Sequence, residues 1–407
     1  MRAITLGVFL EQELHGGGGY QQALNAALLI SKLSPALCKQ VFITTVYSNV
    51  AMLKQCGIEA IYLPMSKWHR LLMKLRKFFL GPYTSQYINA VFGGNYFERV
   101  FEQNNVDLVY FTSPSALALD LERLNYIMTV WDLCHRDDPE FPEVRNASMF
   151  EHREDLYSRT LTKAIAVIVD SDLGKQNIIR RYGVDDVRVH ILPFSPATGT
   201  QISEAEYEKN YIDIKSKYQV NEDYIFYPAQ FWAHKNHVYI LHALKVLEDK
   251  TGLRIGAIFS GGDAGGNLEH IKNTADGLGV LDRITFAGFV DNEEIPYLYR
   301  QSIALVMPTY FGPTNLPPLE AFSLGVPVLY SDKVGLRDQV ADAALLMDLL
   351  EPDDLANHLE RLMTDKNMCK TLIRKGKKQI ELLGLIDDVA TLETIIKDFR
   401  IRRRCWG

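Results

Sequence analysis

Nowhere in this 407-residue chain do eighteen apolar residues run together, so no segment is long enough to cross a bilayer as a helix. Cysteine is scarce and scattered. Cys38, Cys56, Cys134, Cys369 and Cys405 are odd in number and show no CxxC or Cys/His clustering, which argues against a disulfide framework or a structural zinc. A positive surplus is missing as well: 44 Lys and Arg face 50 Asp and Glu, and a net charge of -6 gives no general attraction to nucleic acid. The opening MRAITLGVFL carries one basic residue and too short an apolar run for a secretory leader. These absences point to a reducing, cytoplasmic setting. No short repeat, low-complexity tract or GxGxxG dinucleotide fingerprint occurs either.

What is present is 47% hydrophobic sequence, enough for two packed cores, and a length that favours two domains. Six apolar runs in the first half read as buried parallel strands: residues 3–10, 40–47, 106–111, 126–133, 164–171 and 187–193. Amphipathic stretches separate them, the pattern of a doubly wound α/β sheet. Residues 197–220 break the rhythm with polar residues and read as a linker with a surface helix. A second strand series then follows at 223–229, 254–261, 283–290, 303–309 and 326–332. The expectation is two tandem Rossmann-like domains, at 1–200 and 201–385, facing across a cleft, with a terminal helix and basic tail at 386–407 packing back on the first.

Ligands of open α/β sheets bind beyond the carboxyl ends of the strands, so the loops there carry the chemistry. After the first strand, Gly16 to Gly19 open a helix, where free backbone N–H groups suit an anion; a flexible loop without a ligand is the competing reading. In the second half, FGPTNLPPLEAF places a Gly312 to Asn315 turn before a helix expected over 316–324, with Pro317 and Pro318 tolerable in its first turn. Thr314 and Asn315 can cap that helix while its N–H groups face the cleft. Glu320 can accept from vicinal hydroxyls, unless it lies on the solvated side of a plain core helix.

These residues carry a resemblance. YPAQFWAHKNH, FSGG, ITFAGFVDNEEIPYLYRQSIALVMPT and FGPTNLPPLEAFSLGVPVLYSD, in this order over residues 227–332, resemble the nucleotide-sugar-binding domain of glycosyltransferase family 4, retaining enzymes of the two-Rossmann GT-B type. The first half matches more weakly, through the Gly-rich loop, TVWDLCHRDDPEFPEV and VIVDSDLGKQNIIRRYGV. The resemblance implies that Lys235 neutralises the departing diphosphate of the donor, helped by N–H groups at Gly312, Thr314, Asn315 and Leu316 and by the loop at Gly17 and Gly18. Gln230 falls where an arginine usually accompanies that lysine. Glu320 matches the second glutamate of the family's E-x7-E element, assigned to the ribose, whereas the first falls at Gly312. The backbone at Phe289 and Val290 is implied to hold the base. A first-domain histidine near the donor sugar is replaced by Trp131 and Asp132, so that Asp132 or His135 is left to supply the polar contact. A loop cap by Asp132 and a structural His135–Arg136 pair compete with that role. Trp131 and His15 are candidate acceptor contacts. His234 and His237 lack a third ligand, so neither a metal nor a cofactor is expected.

The implied reaction transfers a hexose from a nucleotide diphosphate sugar, with GDP-mannose or dTDP-rhamnose favoured, to a saccharide or lipid-linked saccharide of a surface polysaccharide. A non-hydrolysing nucleotide-sugar epimerase and a non-catalytic nucleotide-sugar-binding protein are the alternatives. Between Glu59 and Glu98 there is no acid, and Lys67, Arg70, Lys74 and Lys77 recur at helical spacing among leucines and phenylalanines. Residues 67–79 therefore suit peripheral contact with an anionic membrane, or equally a solvated helix packing its leucines inward.

Overall fold

The computed structural model describes residues 3–14, 18–65, 96–196, 198–200, 202–263 and 265–406. Strands β1 (Ile4–Leu10), β2 (Cys38–Thr44), β3 (Ala60–Tyr62), β4 (Leu108–Phe111), β5 (Asn125–Thr129), β6 (Ala166–Val169) and β7 (Val189–Ile191) form one sheet in the order β3-β2-β1-β4-β5-β6-β7. Strands β8 (Tyr224–Pro228), β9 (Gly256–Ser260), β10 (Ile284–Gly288), β11 (Leu305–Met307), β12 (Val328–Ser331) and β13 (Leu345–Met347) form a second, in the order β10-β9-β8-β11-β12-β13. Every pairing is parallel. The chain is thus of the expected α/β class, with two tandem Rossmann-like sheets. Each order reverses direction beside its first strand, at β1/β4 and at β8/β11, and these switch points are where such sheets open a crevice.

The helices that position the site are α1 (Gly18–Ser31), α2 (Met149–Thr160), α3 (Asp172–Tyr182), α4 (His237–Thr251), α5 (Leu316–Leu324), α6 (Lys366–Gly384) and α7 (Asp388–Arg402). Sequence chemistry sets their ends. Ser171 accepts from the Gly174 N–H at 3.1 Å to start α3, and Asp387 accepts from the Ala390 N–H at 2.8 Å to start α7. Gly325, at φ 71°, stops α5.

Alternation along β1 divides the first core. Ile4, Leu6, Val8 and Leu10 enter a cluster on one face, and Phe9 enters a cluster on the other with Phe97, Phe101 and Phe111. Residues 197–220, expected as a linker with one surface helix, hold two short ones, Glu204–Lys209 behind a Ser203/Glu206 capping box and Ile214–Tyr218 behind Asp213. After α6 has packed against α5, the chain returns to the first domain. Leu392, Ile395, Ile396 and Phe399 of α7 are buried in the same cluster as the β1 side chains and α1. The membrane-contact expectation for 67–79 lies outside the described residues. No helix among the described residues is long and apolar enough to cross a membrane.

The role of α7 as part of the first core can be measured. Ile396 is fully buried, so Ile396→Ala should lower unfolding free energy by about 2–5 kcal/mol in urea denaturation. A surface helix would give a change near zero.

Candidate active site

A cleft of about 660 Å³ opens between the carboxyl ends of the two sheets. Gln12, Glu13, Gly19, Gln22, Trp131 and Asp132 line it from the first domain, and Gln230, Trp232, Lys235, Phe289, Val290, Thr314, Asn315, Leu316 and Glu320 from the second.

The second-domain wall follows from strand order. Because β8 and β11 are neighbours, the loop after β8 carrying Lys235 meets the turn after β11 carrying Asn315, although 80 residues separate them. Residues Ala233–Lys235 form a single 3-10 turn, held where the Tyr227 hydroxyl donates to the Lys235 carbonyl at 3.0 Å. The Lys235 ammonium lies 3.4 Å from Asn315 Oδ1. Asn315 is oriented to receive it, since its amide nitrogen donates to the Phe311 carbonyl at 3.1 Å and to the Tyr330 hydroxyl at 2.8 Å. Burial pushes the Lys235 ammonium down to about 8, against the opposing pull of Cys134, Asp132 and Glu143. A poorly paired, half-buried cation is a ready partner for an anion.

Helix α5 begins at Leu316 as expected, but neither Thr314 nor Asn315 caps it. The Thr314 hydroxyl donates to Asp170 of the first domain, and the Asn315 side chain is committed as described. The Asn315 N–H donates to Gln339 Oε1 at 3.0 Å, and Pro317 and Pro318 bring no N–H at all. Of the anion donors expected in this turn, Leu316 keeps a first-turn N–H free of a partner among the described residues.

Glu320 lines the cleft one turn further on, where its Oε2 accepts from the Tyr299 hydroxyl at 2.8 Å and burial pushes its carboxyl up to about 7. Phe289, 69% exposed, and Val290 stand at the rim. Gly312 is a correction to the expected donor site. It lines a separate crevice on the far side of Trp131 and Asp132, its carbonyl accepts from the Cys134 thiol at 2.8 Å, and a Cβ there would lie 2.6 Å from Leu336 Cδ2. A glutamate at 312 has no room.

On the first-domain wall, Gly18 opens α1 and the indole of Trp131 abuts Gly19, with Cζ3 3.1 Å from where a Cβ would stand. His15 and Gly17 lie outside the described residues. Asp132 reaches the cleft, but its carboxylate is paired with Arg153 and accepts from the Cys134 N–H at 3.0 Å. Burial pushes that carboxyl up and Arg153 outweighs it, so Asp132 stays below its usual range and ionised. Asp132 thus caps its loop and also lines the cleft. His135 is the second correction. It is fully buried, its Nε2 pairs with Glu154 at 2.7 Å, and Phe150 and Tyr157 pack its ring. The short helix Cys134–Asp137 turns it into the first domain, away from the cleft.

Sequence reasoning missed the contacts that join the two walls. Glu143 accepts from the His234 backbone N–H at 2.9 Å and from its ring Nδ1, which fixes the residue next to Lys235. His234 lies flat on Phe311 at 3.9 Å, and Phe141 packs against both Tyr310 and Phe311. Burial pushes the His234 imidazole down to about 4, so at neutral pH the ring is an uncharged donor. Asp138 pairs with Lys333 at 2.8 Å, and Asp170 with Thr314. No signal in the sequence pairs Glu143 with a residue 91 positions away. Among the described residues no group of three or more His, Cys, Asp or Glu is placed to hold a metal ion.

With this geometry in view, comparison with known proteins is decisive for the second domain: residues 209–379 match the family "Glycosyl transferases group 1". Over these residues the chain is similar to that family. The chain is 26% identical over 253 residues to O-antigen chain mannosyltransferase B of Escherichia coli, covering 58% of this chain and 62% of that protein. It is 22% identical over 239 residues to the Escherichia coli serotype-specific mannosyltransferase WbdA, covering 58% of this chain and 28% of that one. Less than two thirds of either relative is spanned. Solved structures match along the whole chain: Anabaena Alr3699/HepE in complex with UDP-glucose has a TM-score of 0.70 at 16% identity, covering 98% of this chain and 99% of that one. WaaG, a glycosyltransferase involved in lipopolysaccharide biosynthesis, has a TM-score of 0.66 at 14% identity, covering 96% and 98%. At such identities the likeness establishes the fold, and the residues that match the family include Lys235, Asn315 and Glu320 of the cleft.

The seam between the second domain and the first has a titration signature. Burial raises the Asp170 carboxyl from an ordinary 3.8 to about 7, while the Thr314 and Ser171 hydroxyls donate to it. The folded chain therefore holds a proton that the unfolded chain releases near pH 4. The stability this proton contributes is complete below that pH and is lost as pH rises through about 7. Asp170→Asn should remove a slope on the order of 1.4 kcal/mol per pH unit from the unfolding free energy between pH 5 and 7, measured by urea titration. An unchanged slope would show that Asp170 is not the group responsible.

Proposed function

We propose that the chain is a retaining hexosyltransferase that moves mannose or a deoxyhexose such as rhamnose from a nucleotide diphosphate sugar to a saccharide or lipid-linked saccharide in surface polysaccharide synthesis. The observation that carries this reading is Lys235 in a two-domain cleft, desolvated and facing Asn315 and the start of α5 on the wall built by the group 1 glycosyl transferase domain. The E. coli relatives named as mannosyltransferases support mannose, delivered as GDP-mannose; dTDP-rhamnose fits the same site. HepE, a structural neighbour, is described with UDP-glucose, which supports a nucleotide sugar as the ligand class.

In this reading the nucleobase sits at the rim by Phe289 and Val290, and Glu320 accepts from the ribose hydroxyls. The diphosphate lies between Lys235 and the Leu316 N–H. An acceptor hydroxyl approaches from the side of Trp131 and Gln22. The acceptor oxygen bonds to the anomeric carbon as the bond to the phosphate oxygen breaks on the same face, and the hydroxyl proton passes to that phosphate oxygen. Lys235 stabilises the charge that grows on the leaving group, the interaction that lowers the barrier, and no divalent ion is required for it. Packing of the first domain against the second excludes water that would otherwise hydrolyse the donor. Residues 67–79 are the proposed peripheral contact with the inner face of a membrane carrying the acceptor lipid.

Incubating the full chain with GDP-mannose, dTDP-rhamnose and UDP-glucose, with EDTA present, and following nucleoside diphosphate release with product chromatography tests this directly. Transfer or slow hydrolysis of one donor is expected; interconversion of the sugar would indicate an epimerase, and binding without release a non-catalytic protein. Lys235→Ala should weaken nucleoside diphosphate binding by roughly 10- to 100-fold and lower turnover as well.

Binding should also depend on pH in a stated direction. The free ammonium of Lys235 loses its proton near pH 8, and a bound diphosphate would hold that proton to higher pH. Affinity by calorimetry should be flat below about pH 7.5 and then fall, approaching about tenfold per pH unit, with proton uptake on binding. In Lys235→Ala this break should vanish.

A further inference from the structure

In the second domain, residues 229–235 meet Gly261, Gly262 and Gly265 at the cleft rim. The Trp232 indole rests on Gly265, whose Cβ would lie 3.1 Å from Trp232 Cζ3, and the Phe289 ring covers Gly262, whose Cβ would lie 2.8 Å from Phe289 Cε2. The Phe231 N–H donates to the Gly262 carbonyl at 3.1 Å, and the Trp232 N–H to the Gln230 carbonyl at 2.8 Å. Within this frame the indole Nε1 donates to Gln230 Oε1 at 2.9 Å. An indole N–H is a donor only, so it fixes which end of the amide faces it. The carboxamide oxygen is taken up by Trp232, and among the described residues the side chain of Gln230 makes no other hydrogen bond. Both side chains line the cleft that Lys235 lines.

We infer that Trp232 is a positioning residue for Gln230: by holding the amide oxygen it turns the two amide protons of Gln230 toward the anionic part of a nucleotide bound beside Lys235. The inference rests on the nucleotide-sugar reading of the cleft. A glutamine free to rotate presents its oxygen to a phosphate as readily as its nitrogen, and the oxygen repels. The indole removes that half of the population and also tethers a side chain that would otherwise lose rotamer freedom on binding. Gln230 thus gives the site a second donor without a second charge.

The test is a double-mutant cycle on the full chain, with dissociation constants for GDP, UDP and dTDP by calorimetry. Trp232→Phe keeps an aromatic ring over Gly265 but removes the N–H. It should weaken the nucleotide that binds best by about 3- to 10-fold, Gln230→Ala by a similar factor, and the pair together by no more than Gln230→Ala alone. Gln230→Glu retains an acceptor for the indole and has no proton to donate, so it should weaken binding by about tenfold or more with an unchanged melting temperature. Losses that multiply in the double variant, or full affinity in Gln230→Glu, would overturn the inference while leaving the nucleotide-sugar reading intact. Failure of the unaltered chain to bind any of the three nucleotides would overturn the reading itself, and this inference with it.

Discussion

An ammonium group held without a carboxylate partner is the constraint around which the cleft is organised. Among the described residues no Asp or Glu lies within ion-pair distance of Lys235, whereas other cations near the seam, Arg153, Arg181 and Lys333, each have one. Such a charge is costly in a half-buried place, and its lowered affinity for a proton is the measure of that cost. The fold tolerates it because the neighbours of Lys235 are tied down by other bonds. Tyr227 holds its carbonyl, Asn315 is oriented by Phe311 and Tyr330, and Gln339 bridges from the next strand connection to the Asn315 backbone. A rigid surround with one unsatisfied charge is what preorganised stabilisation of a leaving anion requires.

That surround is not confined to one domain. Glu143 reaches across to bond the backbone and ring of His234, the residue that precedes Lys235, and Phe141 wedges against the aromatic side chains of the turn after β11. Asp170 and Asp138 add two more bonds between the walls. The position of the lysine is therefore coupled to the approach of the first domain, and a site split in this way is complete only when the domains are together.

How much of this could be read from the sequence depended on the range of the signal. The eleven apolar runs all became strands because the apolar run around a buried parallel strand extends past its paired residues, so that even the three-residue β7 and β11 lie inside runs of seven. The two strands that went unread, β3 and β13, are three-residue edge strands of which only Met347 is buried, so the apolar pattern there is weak. Helix α5 was legible to the residue, because Asn315, two prolines and Gly325 punctuate it. Lys235 and Glu320 were legible only through motif order, since nothing local distinguishes a cleft lysine from a surface one. His135 misled because its four-residue helix turns it inward, and Gly312 because Leu336, from a distant connection, occupies the space a side chain would need. Glu143 and Trp232 were invisible for the same reason: what they bond is decided by tertiary contacts.

The return of α7 to the first core has a mechanical corollary. The polypeptide passes between the lobes twice, once after β7 and once between α6 and α7, and both passages are anchored at each end in packed structure. A single tether would leave the lobes free to swivel in any sense, whereas two pins define an axle. Two such connections restrict any relative movement of the lobes more than one would.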